Sequence, residues 1–165
     1  MTPPPATLRP FLPSDTPALA AIFRDSIEVL AAEDYDDAQL AAWIAMADEL
    51  AAFGKRLAAN LTLVATITRA PAAFASLKGA GIIVMLYVDP SVARQGIGGQ
   101  LCDALERLAA ARGAKKITGD ISDTALPLFE KRGYIAERRN TVPLGDVWIG
   151  NTTMTKLFGT PDKAP

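Results

Sequence analysis

Apolar residues change their spacing along the chain, and the changes divide it into helical and extended stretches. A short run at Thr7–Phe11 reads as a strand. Behind it Ser14 and Asp15 stand where a helix N-cap belongs, ahead of Leu19, Ile22, Phe23, Ile27 and Leu30 in helical spacing. A second helix is predicted to open at Asp36 or Asp37 and to carry Leu40, Trp43 and Ile44, and a third to run from Asp48 to Ala59. The pattern then turns extended. Leu61–Thr68, Ala72–Leu77 and Ile82–Val88 read as three short strands, with turns expected at Arg69-Ala70-Pro71 and Lys78-Gly79-Ala80-Gly81, which makes an antiparallel meander. From Gly98 to Arg112, Leu101, Leu105 and Leu108 mark an amphipathic helix closed by Gly113. A strand at Ile117–Ile121, a short helix at Ala125–Lys131 closed by Gly133, and strands at Tyr134–Glu137 and Val147–Phe158 follow. Arg138-Arg139-Asn140 reads as an exposed hairpin end, and the terminal stretches MTPPPA and GTPDKAP as frayed tails.

Neither a repeat nor a long linker interrupts this order, so the 165 residues read as one α/β domain, with an ordered core from about residue 7 to 158. Half of the residues are apolar and 21% are charged, as in a soluble globular protein. The net charge of -1 provides no field for nucleic acid or an anionic membrane. The apolar stretch Ala80–Val88 is too short to span a bilayer and the first residues lack the regions of a signal peptide, which points to the cytoplasm.

Composition also removes chemistry. The sequence has no histidine and a single cysteine, Cys102, so a Ser-His-Asp or Cys-His nucleophile, an intramolecular disulfide and a multi-cysteine zinc site are excluded, and no metal is expected. Cys102 lies just inside a helix and reads as a small core residue.

The chemistry concentrates in VDPSVARQGIGGQL, Val88 to Leu101, where glycines separate a strand from a helix. Glycines at a helix start expose backbone N–H groups, and the helix dipole favours an anion there. The spacing is not that of a dinucleotide fingerprint, which needs G-x-G-x-x-G in a parallel unit, and no Gly-Lys-Ser/Thr tripeptide supplies a Walker A loop.

Three segments together are more specific. Leu86-Tyr87-Val88-Asp89-Pro90, then Arg94-Gln95-Gly96-Ile97-Gly98-Gly99-Gln100-Leu101, then Ala125 to Tyr134 (ALPLFEKRGY) resemble, in order and spacing, the motifs of the GCN5-related N-acetyltransferase (GNAT) superfamily. Leu8-Arg9-Pro10 with Ser14-Asp15 resembles that family's first strand and helix, and Ala73-Phe74-Ala75-Ser76-Leu77 its third strand. MLYVDP, Tyr35 and Gln39 to Trp43 resemble its small bacterial YafP-like members.

The resemblance implies a mixed, mostly antiparallel central sheet flanked by helices, with splayed fourth and fifth strands and acetyl-coenzyme A in the cleft between them. Backbone N–H groups of Arg94, Gln95, Gly96, Ile97, Gly98 and Gly99 would receive the pyrophosphate, and the Arg94 guanidinium would add a charge-assisted contact. Main chain of Leu86 and Val88 would pair with the pantetheine amides, and Ser122 stands where many members carry an asparagine that bonds the cofactor arm. Phe129, on the short late helix, is expected to contact the cofactor as well. Three positions depart from the family pattern: Ala93 opens the loop motif in place of Gln or Arg, Val84 replaces a customary strand carboxylate, and Phe129 replaces a customary tyrosine.

Proton transfer therefore falls to other groups. Tyr87 on the cleft strand, Asp120 two residues before Ser122, and Tyr35 after Glu33-Asp34 are the catalytic candidates. Each has a structural alternative: strand packing for Tyr87, a turn for Asp120, and packing against Trp43 for Tyr35. Glu33 to Asp37 reads as a solvated loop with a helix cap. The expected activity is acetyl transfer to a primary amine of a small molecule or a peptide. A non-catalytic acyl-coenzyme A binding or sensing protein is the alternative that Val84 and Phe129 suggest. A homodimer through the last strands is the family habit.

Overall fold

A computed structural model describes residues 5–159, so most of the two terminal stretches lies outside the described residues. One seven-stranded sheet organises the chain in the order β1-β2-β3-β4-β5-β7-β6. Strands β1 (Thr7–Pro10), β2 (Leu61–Ile67), β3 (Ala70–Lys78) and β4 (Ile82–Val88) pair antiparallel in sequence. Beyond them, β5 (Lys116–Ser122) lies parallel to β4, and β7 (Val147–Leu157) joins β5 to the edge strand β6 (Ile135–Leu144), antiparallel to both. The mixed, mostly antiparallel sheet expected from the sequence is present.

Helices cover both faces. Helices α1 (Thr16–Leu30), α2 (Asp37–Ile44) and α3 (Leu50–Ala59) pack on one side, where Phe23, Phe53 and Phe74 form a buried aromatic core. On the other side α4 (Ile97–Ala111) and the short α5 (Leu126–Lys131) bury Leu101, Leu105 and Phe129 against Ile117 and Met154. The helical spacing of the sequence matches what is buried: Leu19, Phe23 and Ile27 on α1 are each at most 1% exposed. Cys102 is buried on α4, as read.

Local chemistry explains most boundaries. Asp36 caps α2 by accepting from the Gln39 N–H at 2.8 Å, while the Gln39 side chain accepts from the Asp36 N–H at 2.9 Å. Asp15 does not cap α1. Its carboxylate turns back to the Leu12 N–H and to both guanidinium nitrogens of Arg9, each at 2.8 Å, because the preceding helical turn already directs the chain into α1. The third helix starts at Leu50 rather than Asp48, since a further helical turn extends α2 through Ala47.

Two turns also differ from expectation. Between β2 and β3 the turn residues are Thr68 and Arg69, both left-handed (φ 48 and 72), so Ala70 and Pro71 already belong to β3. Arg138, Arg139 and Asn140 are not a hairpin end but the middle of β6, and the turn falls at Gly145 (φ 57). Their polarity reflects an exposed edge strand, which tolerates charge, rather than a loop.

A bulge at Val84 shapes the centre of the sheet. Leu77 pairs with Ile83 and Ser76 with Met85, which leaves Val84 without a partner on β3. At the same point β4 and β5 part: their only paired positions are Ile82 with Thr118 and Ile83 with Gly119. A bulge bends the strand that carries it, so the extra residue and the splay are one feature. No helix among the described residues is long and apolar enough to cross a membrane.

Candidate active site

The splay leaves two free strand edges facing each other, Met85–Val88 on β4 and Asp120–Ser122 on β5. The Asp89 N–H donates to the Ala72 carbonyl on β3 at 2.8 Å. Backbone groups alternate sides along a strand, so Tyr87 also turns its amide toward β3, and Leu86 and Val88 turn theirs into the cleft. Main-chain donors and acceptors therefore line one wall, at the two residues the sequence nominated.

Two adjoining cavities occupy the cleft. The first, about 300 Å³, runs from Leu86 and Val88 to the glycine loop and is lined there by Ala93, Arg94, Gly96, Gly98 and Gly99. Arg94 and Gly96 are left-handed (φ 63 and 88), a backbone path that folds the loop over the start of α4. The Gln100 N–H is the first to reach a helical carbonyl, that of Gly96 at 3.0 Å, so the amides of Ile97, Gly98 and Gly99 have no helical partner. With the exposed Arg94 guanidinium and the dipole of a fifteen-residue helix, they make a cradle for an anion. A Cβ on Gly98 would sit 3.4 Å from Leu128 and 3.8 Å from Val88, so the bare backbone keeps this end open. Free strand amides leading to unpaired helix amides fit an extended amide chain that ends in a diphosphate, the chemistry of coenzyme A.

The second, the deep cavity, is about 280 Å³, lies away from the glycine loop and is walled by Tyr35, Trp43, Tyr87, Phe129, Val142 and Ile149, with Asp120, Ser122 and Asn151 as its other polar side chains. The two cavities meet at Trp43, Leu86, Tyr87, Ser122 and Ala125, which line both.

The three catalytic candidates come together here, in different circumstances. Tyr87 is half-buried among Phe23, Phe74 and Trp43. Its hydroxyl accepts from the Trp43 indole N–H at 3.2 Å, and its own proton has no acceptor among the described residues. Burial pushes the Tyr87 phenol up to about 12, so it stays protonated at neutral pH. Asp120 shares the cleft face of β5 with Ser122, is exposed, and accepts from the Thr153 hydroxyl at 2.6 Å. Tyr35 is buried and its hydroxyl is used twice, donating to the Gly150 carbonyl and accepting from the Asp123 N–H, each at 2.8 Å. Its ring meets Trp43 edge to face at 5.4 Å, so the packing alternative describes it well. Burial raises the Tyr35 phenol as well.

The remaining nominated residues divide by position. Ser122 lies at the junction, its hydroxyl accepting from the Ala125 N–H at 3.2 Å. Gln95 is exposed and lines neither cavity, and Ile97 buries its side chain in the core, so each could offer only its amide. Phe129 is 1% exposed, stacks edge to face on Tyr134 at 4.8 Å, and borders the deep cavity rather than the glycine loop. The acidic loop is only partly solvated: Asp34 accepts from Thr124 at 2.8 Å, and with Tyr35 it ties the α1–α2 connection to the turn after Ser122.

Sequence reasoning missed Val142, Leu144, Ile149 and Gly150, which the β6–β7 hairpin folds over the deep cavity. A Cβ on Gly150 would lie 2.3 Å from Arg139, so that glycine lets the Arg139 side chain cross the strand to pair with Asp123. Among the described residues no cluster of acidic and sulfur side chains could hold a metal.

Comparison with known proteins agrees with this geometry. The family model described as Acetyltransferase (GNAT) domain matches residues 31–158. The uncharacterized N-acetyltransferase YafP of Escherichia coli (strain K12) is 31% identical over 147 residues, 89% of this chain and 93% of that protein. The crystal structure named "GCN5-Related N-acetyltransferase: Aminotransferase, Class-II" from Rhodopseudomonas palustris is 50% identical, with a TM-score of 0.93 over 96% of this chain and 99% of its own. The PaiA N-acetyltransferase of Thermoplasma acidophilum, solved with coenzyme A, shares the fold at 18% identity, with a TM-score of 0.78 over 93% of this chain and 99% of its own.

Proposed function

Because the chain belongs to the GNAT acetyltransferase family, we propose that it moves an acetyl group from acetyl-coenzyme A to a primary amine of a small molecule or peptide, by direct attack with both substrates bound. The observation that carries this reading is the continuous cleft: unpaired main chain at Leu86 and Val88 leads to unpaired amides at Ile97, Gly98 and Gly99, with a second cavity opening at the junction.

When bound, acetyl-coenzyme A supplies a thioester that the amine can attack. Leu86 and Val88 hold the pantetheine amides as an added strand, the α4 amides and Arg94 hold the diphosphate, and Ser122 bonds the arm. Holding amine and thioester together supplies much of the rate. Of the two protons that leave an alkyl ammonium nitrogen, the first passes to solvent before attack and the second moves from nitrogen to the sulfur as it departs. Asp120 draws the ammonium in and relays the first proton outward, through water. The Tyr87 hydroxyl, protonated at neutral pH, donates a hydrogen bond to the departing sulfur. It steadies that charge without surrendering its proton, since a thiol near ~8.5 is the stronger acid.

Two further readings accompany this one. A single buried, free thiol suits a cytoplasmic protein. The open edge of β6, with Ile135 68% exposed, suits pairing of two copies.

The test is thiol release from acetyl-coenzyme A with and without an added primary amine. Release that requires the amine is the expected result. Tight binding of acetyl-coenzyme A with no amine-dependent release would favour the sensing alternative that Val84 and Phe129 suggest.

A further inference from the structure

Two features of the deep cavity bear on its occupant. Its wall is mostly apolar: Trp43, Met46, Phe129, Val142, Leu144 and Ile149 all line it. Its charge is one-sided, because among the described residues Asp120 is the only carboxylate in the lining and no Lys or Arg lines it. Arg139, which crosses the neighbouring Gly150, is paired with Asp123.

We infer that the acceptor is a primary amine carried on a compact aromatic or bulky apolar body that bears no carboxylate. This rests on the acetyltransferase reading and narrows its acceptor. The nitrogen must reach the junction of the cavities at Leu86, Tyr87 and Ser122. Asp120 stands two residues before Ser122 on the same strand face, about 6–7 Å along β5, where it meets the ammonium before its proton is lost. The body behind the nitrogen then fills the space between Trp43 and the hairpin residues Val142 and Leu144, where burying apolar surface is the available source of affinity.

The same features reject other amines. An amino acid would bring its carboxylate into a cavity that holds Asp120 and no cation. A polyamine would set a second ammonium against the apolar wall, and an amino sugar would bring more hydroxyls than Tyr87, Ser122 and Asn151 can bond. A peptide brings more volume behind its nitrogen than about 280 Å³ holds, a value just below the range of small-molecule pockets.

The experiment compares 2-phenylethylamine with phenylalanine, which share one ring and differ by a carboxylate, and with spermidine, glucosamine and a short peptide bearing a free N-terminus. Thiol release gives kcat/KM, and thermal unfolding with free coenzyme A plus each amine gives binding without turnover. The expected result is a kcat/KM for 2-phenylethylamine at least about tenfold above each of the others, a factor one well-placed charge or apolar contact can supply. Val142→Asp should lower that value by about tenfold while the stabilisation by acetyl-coenzyme A stays, which shows that the fold survives. Asp120→Asn should shrink the ratio of 2-phenylethylamine to phenylalanine. If phenylalanine, spermidine, glucosamine or the peptide is used best, the acceptor inference is overturned and the acetyltransferase reading stands. If no amine releases thiol, that reading fails, and the inference falls too unless 2-phenylethylamine alone stabilises the coenzyme A complex.

Discussion

The indole N–H of Trp43 donates to the hydroxyl oxygen of Tyr87 at 3.2 Å, from a different element and on the line where the two cavities of the cleft meet. The bond occupies a lone pair of the phenol and leaves its proton free to point into the cleft. Trp43 thereby orients Tyr87 toward the sulfur it is proposed to serve.

Replacing Tyr87 by Phe should lower kcat by about a hundredfold with little change in acetyl-coenzyme A affinity. With the phenol at about 12, its protonated form persists well above neutrality. The rate should therefore climb as pH rises and the amine, near ~10.4, loses its proton, without turning down before about pH 11. An alkaline decline centred below pH 9 in the wild type, abolished in the Phe variant, would contradict this assignment.

Tyr35→Phe removes one hydroxyl and unpairs two backbone groups at once, the Asp123 N–H and the Gly150 carbonyl. The expected cost in denaturant unfolding is about 1–3 kcal/mol. Because these bonds tie the turn after Ser122 to β7, KM for the amine should rise more than kcat falls. A variant as stable as the wild type would show that solvent or a rearranged turn replaces both bonds.

Asp15 gives a pH-dependent test of the fold alone. Hydrogen bonds from Arg9 hold its carboxyl below the usual range, aided by the Leu12 N–H and opposed by burial. A depressed carboxyl contributes stability above its unfolded pKa of 3.8, and this is lost as pH falls through the lower folded value. Asp15→Asn should therefore be less stable than the wild type at pH 7, by about 1–3 kcal/mol, and the gap should close in strong acid. Equal unfolding midpoints at pH 7 would remove the Arg9–Asp15 pair from the account.

How much of this was legible depended on how local the cause is. The spacing of Leu19, Phe23 and Ile27, a helix cap at Asp36 or Asp37 and the glycines before α4 act within a few residues, and reading them along the chain gave elements that the structure contains. Tyr35 could be singled out, but its two partners stand 88 and 115 residues away, and only pairing of β5 with β7 brings them together. The hairpin wall of the deep cavity was hidden for a related reason. Arg138 to Asn140 carry the polarity of a turn, whereas an edge strand exposed on one side permits the same polarity, so β6 looked too short to reach the site. The bulge at Val84 left no mark in sequence at all, since valine suits a regular strand equally well.

In the proposed reading, the cleft between β4 and β5 holds acetyl-coenzyme A through the amides of the α4 N-terminus. The direct measurement is a calorimetric titration of acetyl-coenzyme A into the wild type and into Gly98→Glu, which sets a carboxylate in the space beside Leu128 and Val88. Saturable binding to the wild type is expected, with an affinity at least about a hundredfold weaker in the variant, from lost room and like charge together. Equal affinity of the two proteins, with the variant folded, would contradict it.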